Sequence, residues 1–118
     1  MRIAIDFDDT VTKDPVLWNF FISQAKARGH DIIIVTMRDT SHSARVYETV
    51  KGLDKDKIFF TALHGKRDFM LRKGIAVDVW VDDNPEAVIA NHPALADPTL
   101  RWMDEDQFNS GACTQIKE

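Results

Sequence analysis

The sequence predicts an α/β protein on a doubly wound parallel sheet, and three observations carry that prediction. Short apolar runs recur along the chain, with Ile3-Ala4-Ile5, Ile32-Ile33-Ile34-Val35 and Val77 to Val81 the clearest. Stretches with apolar residues at helical spacing separate them. Prolines and glycines fall where those stretches would start and stop. Strands alternating with helices imply right-handed crossovers, and hence a parallel sheet layered with helices.

Each element has its own signal. The first strand is expected over Ile3 to Phe7. Asp14-Pro15 reads as a helix start, with Asp as N-cap and Pro at the first helical position. Leu17 and Phe21, with Trp18, Ile22 and Ala25, recur at helical spacing, and Gly29 is a natural stop. The β-branched run Ile32 to Val35 suits a strand buried on both faces. Val46, Val50 and Leu53 suggest a second helix, starting near Ser41 or Ser43. Ile58-Phe59-Phe60 is a third short strand, and Lys66 to Lys73 a brief helix stopped by Gly74. In the fourth strand Val77, Val79 and Val81 alternate with Asp78 and Trp80. Asn84-Pro85 repeats the cap-plus-proline start for a helix through Ile89 that ends before Pro93. Leu100 to Met103 is read as a fifth strand, and 109–118 as a loose tail.

Composition narrows the class. A chain of 118 residues, 44% hydrophobic and 29% charged, is expected to form one domain, 1–118, with an ordinary globular core. No apolar run approaches the ~20 residues that span a bilayer, and the N-terminus lacks a signal-peptide layout. The single cysteine, Cys113, has no internal disulfide partner, so a reducing, cytoplasmic setting without membrane association is expected. A net charge of −4 weighs against wholesale nucleic-acid binding and leaves a local basic patch open.

The most informative segment is Asp6-Phe7-Asp8-Asp9-Thr10, directly after the first strand. Alternation sends Asp6 and Asp8 to the same side. Carboxylates crowded there repel unless a cation or proton lies between them, and Mg²⁺ with oxygen ligands is the expected remedy. A polar turn after an edge strand would use the same residue types. In parallel α/β sheets, active sites lie at the carboxyl ends of the strands. That rule joins Asp6, Asp8 and Thr10 to Thr36 after the second strand, Asp82-Asp83 after the fourth, and Lys66 at the start of the intervening helix. Singly, Thr36 could cap a turn, Lys66 could be a solvated base and Asp82-Asp83 a polar turn.

The order of these groups resembles the haloacid dehalogenase superfamily of phosphohydrolases. Asp6-Phe7-Asp8-Asp9-Thr10 matches its first motif, Asp-x-Asp-x-Thr. Thr36 matches the second, Lys66 the third, and Asp82-Asp83 the fourth. The resemblance covers roughly residues 1 to 104 and implies a Rossmann-like sheet of strand order 3-2-1-4-5. It also implies roles. Asp6 would attack phosphorus to give an aspartyl-phosphate, and Asp8 would protonate the leaving oxygen and then activate water. Mg²⁺ would be held by the Asp6 carboxylate, the Asp8 main-chain carbonyl and Asp82, with Asp83 in support. Thr36 would bond a phosphoryl oxygen, and Lys66 would neutralise the transferring group. Thr10, Arg38, His64 and Arg67 are the candidate substrate contacts, although Arg38 is as well placed for a surface salt bridge.

Neither inter-motif gap has room for a cap domain: Thr10 to Thr36 holds one helix, and Thr36 to Lys66 one helix and one strand. The site is therefore expected to be open. The expected partner is a phosphorylated substrate, a small molecule or a nucleotide or oligonucleotide end. A homo-oligomer is the competing route to a closed site. The segment from Val81 to Phe108 faintly resembles the phosphatase module of polynucleotide kinase–phosphatases. His30, His42, His64 and His92 lack metal-ligand spacing and are expected on the surface or in loops. A receiver-like signalling domain is the main rival, but its third strand should end in an acid, and here Phe60-Thr61-Ala62 follows. A non-catalytic module of the phosphatase fold is a further alternative, against which all four motifs are intact.

Overall fold

Four parallel strands frame the computed structural model, which describes residues 1–96. They are β1 (Arg2–Ile5), β2 (Asp31–Thr36), β3 (Ile58–Phe60) and β4 (Val79–Val81), in the order β3-β2-β1-β4. Helices α1 (Pro15–Ala27), α2 (Ala44–Thr49), α3 (Lys66–Arg72) and α4 (Glu86–Ile89) connect or follow them. Short 3-10 turns lie at Val11–Lys13, Thr40–His42, Lys55–Lys57 and Pro93–Leu95. The expected fifth strand at Leu100–Met103, the tail at 109–118 and Cys113 lie outside the described residues. No helix among the described residues is long and apolar enough to cross a membrane.

The run Ile32–Val35 is apolar throughout because β2 is covered twice. Ile32 and Ile34 pack with Ile3 and Ile5 of β1, Ile22 and Ala25 of α1, and Val46 and Val50 flanking or within α2. Ile33 and Val35 point the other way, to Ala4, Trp80 and Met70 of α3. Register is continuous, from Arg2 opposite Asp31 to Ile5 opposite Ile34. A one-residue slip would exchange the two clusters, so the pairing is strongly specified.

Helix α1 starts as its sequence indicates. Pro15 is the first helical residue, and the Asp14 carboxylate accepts the Leu17 N–H at 3.0 Å. Its end is a left-handed glycine cap: Gly29 has φ 89°, and the N–H of His30 returns to the Ala25 carbonyl at 3.1 Å.

Several boundaries differ from expectation, each for a local reason. β1 ends at Ile5 rather than Phe7, because Thr10 and Thr12 both turn their N–H groups onto the Phe7 carbonyl. β4 begins at Val79 rather than Val77. The Asp78 carboxylate takes the Arg2 N–H at 2.7 Å and closes the ladder with a side chain. α2 has no side-chain cap from Ser43, while Ser41 lies in the preceding turn, capped by Asp39. At α4 the cap residue is Pro85, not Asn84, and the Asn84 N–H goes instead to Asp82 Oδ1 at 2.9 Å.

Candidate active site

The carboxyl ends of β1, β2 and β4 converge on one rim. Asp6 is the first residue past β1, Thr36 the last of β2, and Asp82 the first past β4. Continued pairing holds the first of these, since the Asp6 N–H reaches the Val81 carbonyl at 2.8 Å. Lys66, the first residue of α3, comes in from the side. Its Nζ lies 2.7 Å from Asp6 Oδ1 and 2.5 Å from Asp82 Oδ2. The Lys66 side chain is 2% exposed, Asp6 8% and Asp82 4%. Buried charges of this kind persist only when paired. Thr10 adds a hydroxyl, donated to Asp6 Oδ2 at 3.1 Å.

Asp6, Asp82 and Asp83 each present a carboxylate oxygen within 4.8 Å of the others. Asp6 is buried and Asp83 exposed, so the cluster has one side to solvent. Burial pushes the Asp6 carboxyl up to about 7, with Asp83 adding to the rise and Lys66 opposing it. Asp82 is raised as well, by burial first and then by Asp6, against Lys66. Burial alone would lower Lys66, but Asp6 and Asp82 outweigh it and its ammonium is held above the ordinary lysine range. One lysine therefore balances a group of three acids, and a hard cation with oxygen ligands fits the remainder.

Asp8 stands apart from this cluster. Both of its oxygens face Arg38, with Nη2 at 2.7 Å from Oδ1 and Nε at 3.0 Å from Oδ2. Arg38 is 0% exposed. Arg38, expected as a substrate contact or a surface salt bridge, is thus a buried ion-pair partner whose guanidinium points at Asp8. Thr36 is buried, and its hydroxyl oxygen accepts the Arg38 N–H at 3.3 Å. Thr10 is buried on Asp6 rather than turned outward. His64 is half-buried, its Nδ1 2.9 Å from the Thr61 carbonyl, and Arg67 is exposed on α3. Neither His64 nor Arg67 bonds the acids. His92 is in a loop as expected but buried, its Nδ1 accepting the Ala94 N–H at 2.9 Å.

The loop that aims Lys66 was not legible as functional. Thr61, Ala62 and Leu63 donate their N–H groups to the carbonyls of Thr36, Arg38 and Met37 at 2.8, 3.2 and 2.9 Å. Gly65 donates to Asn91 Oδ1 at 2.7 Å, and His92 to the Leu63 carbonyl at 2.8 Å. A Cβ on Gly65 would meet the Ala90 backbone carbon at 3.1 Å, so the α4–loop segment packs directly on the residue before Lys66. Gly65 adjoining Lys66 was the one available signal; nothing marked Asn91.

No family model matches the chain, and neither does a curated protein or a solved structure.

Proposed function

We propose that the chain is a Mg²⁺-dependent phosphohydrolase of the haloacid dehalogenase type, cleaving a phosphate monoester through an aspartyl-phosphate on Asp6. The observation that carries this reading is Lys66 seated between Asp6 and Asp82, with Asp83 completing an acidic group open on one side. The three carboxylates suit a hard divalent ion, and Asp6, Asp82, Asp83 and the Asp8 main-chain carbonyl are the groups that would hold it. When bound, Mg²⁺ supplies charge neutralisation and orientation for the phosphoryl group.

The chain's own residues account for the rest. Asp6 attacks phosphorus, forming a new P–O bond while the ester P–O bond breaks, and Thr10 keeps its carboxylate oriented. Asp8 gives its proton to the leaving oxygen. It then takes one from water, which attacks phosphorus and releases inorganic phosphate and free Asp6. Lys66 offsets charge on the transferring group, and Thr36 donates its hydroxyl to a phosphoryl oxygen.

The finer parts of the reading have separate supports. The strand order 3-2-1-4-5 rests on the same resemblance, and the doubly wound sheet on the alternation of strands and helices. The single domain rests on length and composition, and the cytoplasmic setting on the lone cysteine, Cys113. The absence of a cap between the motifs favours phosphate carried on something large, such as a nucleotide or oligonucleotide end. Exposed Arg67 is the available rim donor.

Assay of an aryl phosphate with Mg²⁺ tests the core of the proposal. Turnover should disappear in excess chelator and in Asp6→Asn, whose amide is a far weaker nucleophile. An Asp6→Asn protein with near wild-type turnover would point to another nucleophile and end the assignment.

A further inference from the structure

We propose that Arg38 is the positioning residue for Asp8, the proton-transferring group of the reaction above; the inference rests on that reading. Nη2 and Nε address the two Asp8 oxygens at 2.7 and 3.0 Å, the fork geometry that sets the plane of a carboxylate as well as its distance. Nη1 donates to the His42 carbonyl at 3.0 Å, and the guanidinium carbon lies 5.1 Å from the centre of the Phe7 ring. Arg38 and Phe7 are both 0% exposed. The main chain of Arg38 is tied too, its N–H to Thr36 Oγ1 at 3.3 Å and its carbonyl to the Ala62 N–H at 3.2 Å.

This placement separates two roles that the sequence left open. A guanidinium that recognises phosphate must present its fork to the ligand. Here the fork is turned onto Asp8 and buried behind it, so Arg38 acts on the substrate through Asp8. The residue also links the Asp8 turn to the end of β2 and to the loop that aims Lys66. The acid–base group and the cation are thereby held in one frame. Such fixation matters because misplacing a catalytic group by about 1 Å costs on the order of 10²-fold in rate.

A double-mutant cycle decides the matter. Turnover with Mg²⁺ is measured on an aryl and an alkyl phosphate for wild type, Asp8→Asn, Arg38→Met and the double variant, with Asp6→Asn as the control for the reaction itself. Arg38→Met should lower kcat on the alkyl phosphate by about 10²-fold, and less on the aryl phosphate, whose leaving group needs no proton. KM should stay close to wild type. In the Asp8→Asn background the same change should alter kcat by no more than about twofold, because the group it positions is gone. Arg38→Lys keeps the charge without the fork and should fall between. If Arg38→Met does not fold, the Arg38→Lys cycle carries the same criterion. Additive losses with a raised KM would place Arg38 on the phosphate and overturn this inference alone. Turnover that Asp6→Asn leaves intact would remove the phosphohydrolase reading and the inference with it.

Discussion

Replacing Lys66 with methionine keeps a side chain of similar length and removes one charge from a buried cluster of acids. In the native protein its Nζ stands 2.7 Å from Asp6 and 2.5 Å from Asp82, and none of the three side chains is more than 8% exposed. Removing one partner from a buried ion pair costs about 3–5 kcal/mol. A domain of ordinary stability has only about 5–15 kcal/mol in total. At roughly 4 °C per kcal/mol, the melting temperature of the metal-free protein should fall by about 12 °C or more. The sign of the pH dependence follows from Asp6 and Asp82, whose carboxyls are already raised and would rise further without Lys66. An acid raised on folding holds a proton that the unfolded chain has released, so it weakens the fold as pH rises through the interval between the two values. The deficit of Lys66→Met should be small near pH 4 and largest above pH 7, and Mg²⁺ should reduce it there. Thermal melts by circular dichroism in chelator, at acid and alkaline pH, measure this directly. A variant melting within about 2 °C of wild type at both pH values, or a deficit that grows toward acid pH, would refute the reasoning.

The native metal-free protein should itself lose stability between pH 4 and pH 7. Asp6, raised to about 7, contributes at most about 1.4 kcal/mol per pH unit, and Asp6→Asn should flatten the slope. Asp31 and Asp39 are lowered, Asp31 chiefly by its bond to Arg2; burial would raise Asp39, but bonds from Ser41 and His42 together outweigh it. Their stabilisation is present above the ordinary aspartate range and is lost only at more acid pH. Mg²⁺ should raise the melting temperature and support hydrolysis. Ca²⁺ should stabilise but support turnover poorly, its looser coordination shell misplacing the nucleophile, and equal turnover with both would contradict this. Gly65→Ala drives a Cβ to within 3.1 Å of the Ala90 backbone and should cost about 1–3 kcal/mol by denaturant melt, with reduced kcat as Lys66 shifts. On an open site, a small aryl phosphate should show KM toward or above the millimolar end of the usual range, and a monomer with micromolar KM for a sugar phosphate would refute the open-site reading.

The parts of the fold that sequence anticipates are those set by local chemistry or by burial on both faces. Ile32–Val35 could only be an interior strand, and Asp14-Pro15 could hardly be other than a helix start. The grouping of Asp6, Thr36 and Asp82 follows from the sheet alone, because a parallel sheet places all strand ends on one rim. What escaped depends on distant partners. Whether Arg38 faces solvent or Asp8 is decided by the packing of Phe7 beneath it and the His42 carbonyl beside it. Neither neighbour is marked by spacing. The late start of β4 follows from one carboxylate, Asp78, taking a backbone amide 76 positions away. Asn91 supports the residue before Lys66 from a segment whose sequence suggests only a helix end.

Ala62 and Leu63 are consecutive non-glycine residues with φ of 51° and 71°. Such left-handed positions are disfavoured by about 1–3 kcal/mol each, so the chain does not adopt them on its own. They are held by Arg38 and Met37 from one side and by His92 from the other. Those supports come from segments far apart in sequence, so the bend is a product of tertiary packing and not of its own local sequence. Lys66 is delivered to the acids by that bend. A partly assembled chain would therefore leave its acids without their internal cation, repelling one another. The contacts that hold the bend are thus also the ones that keep the buried acids in charge balance.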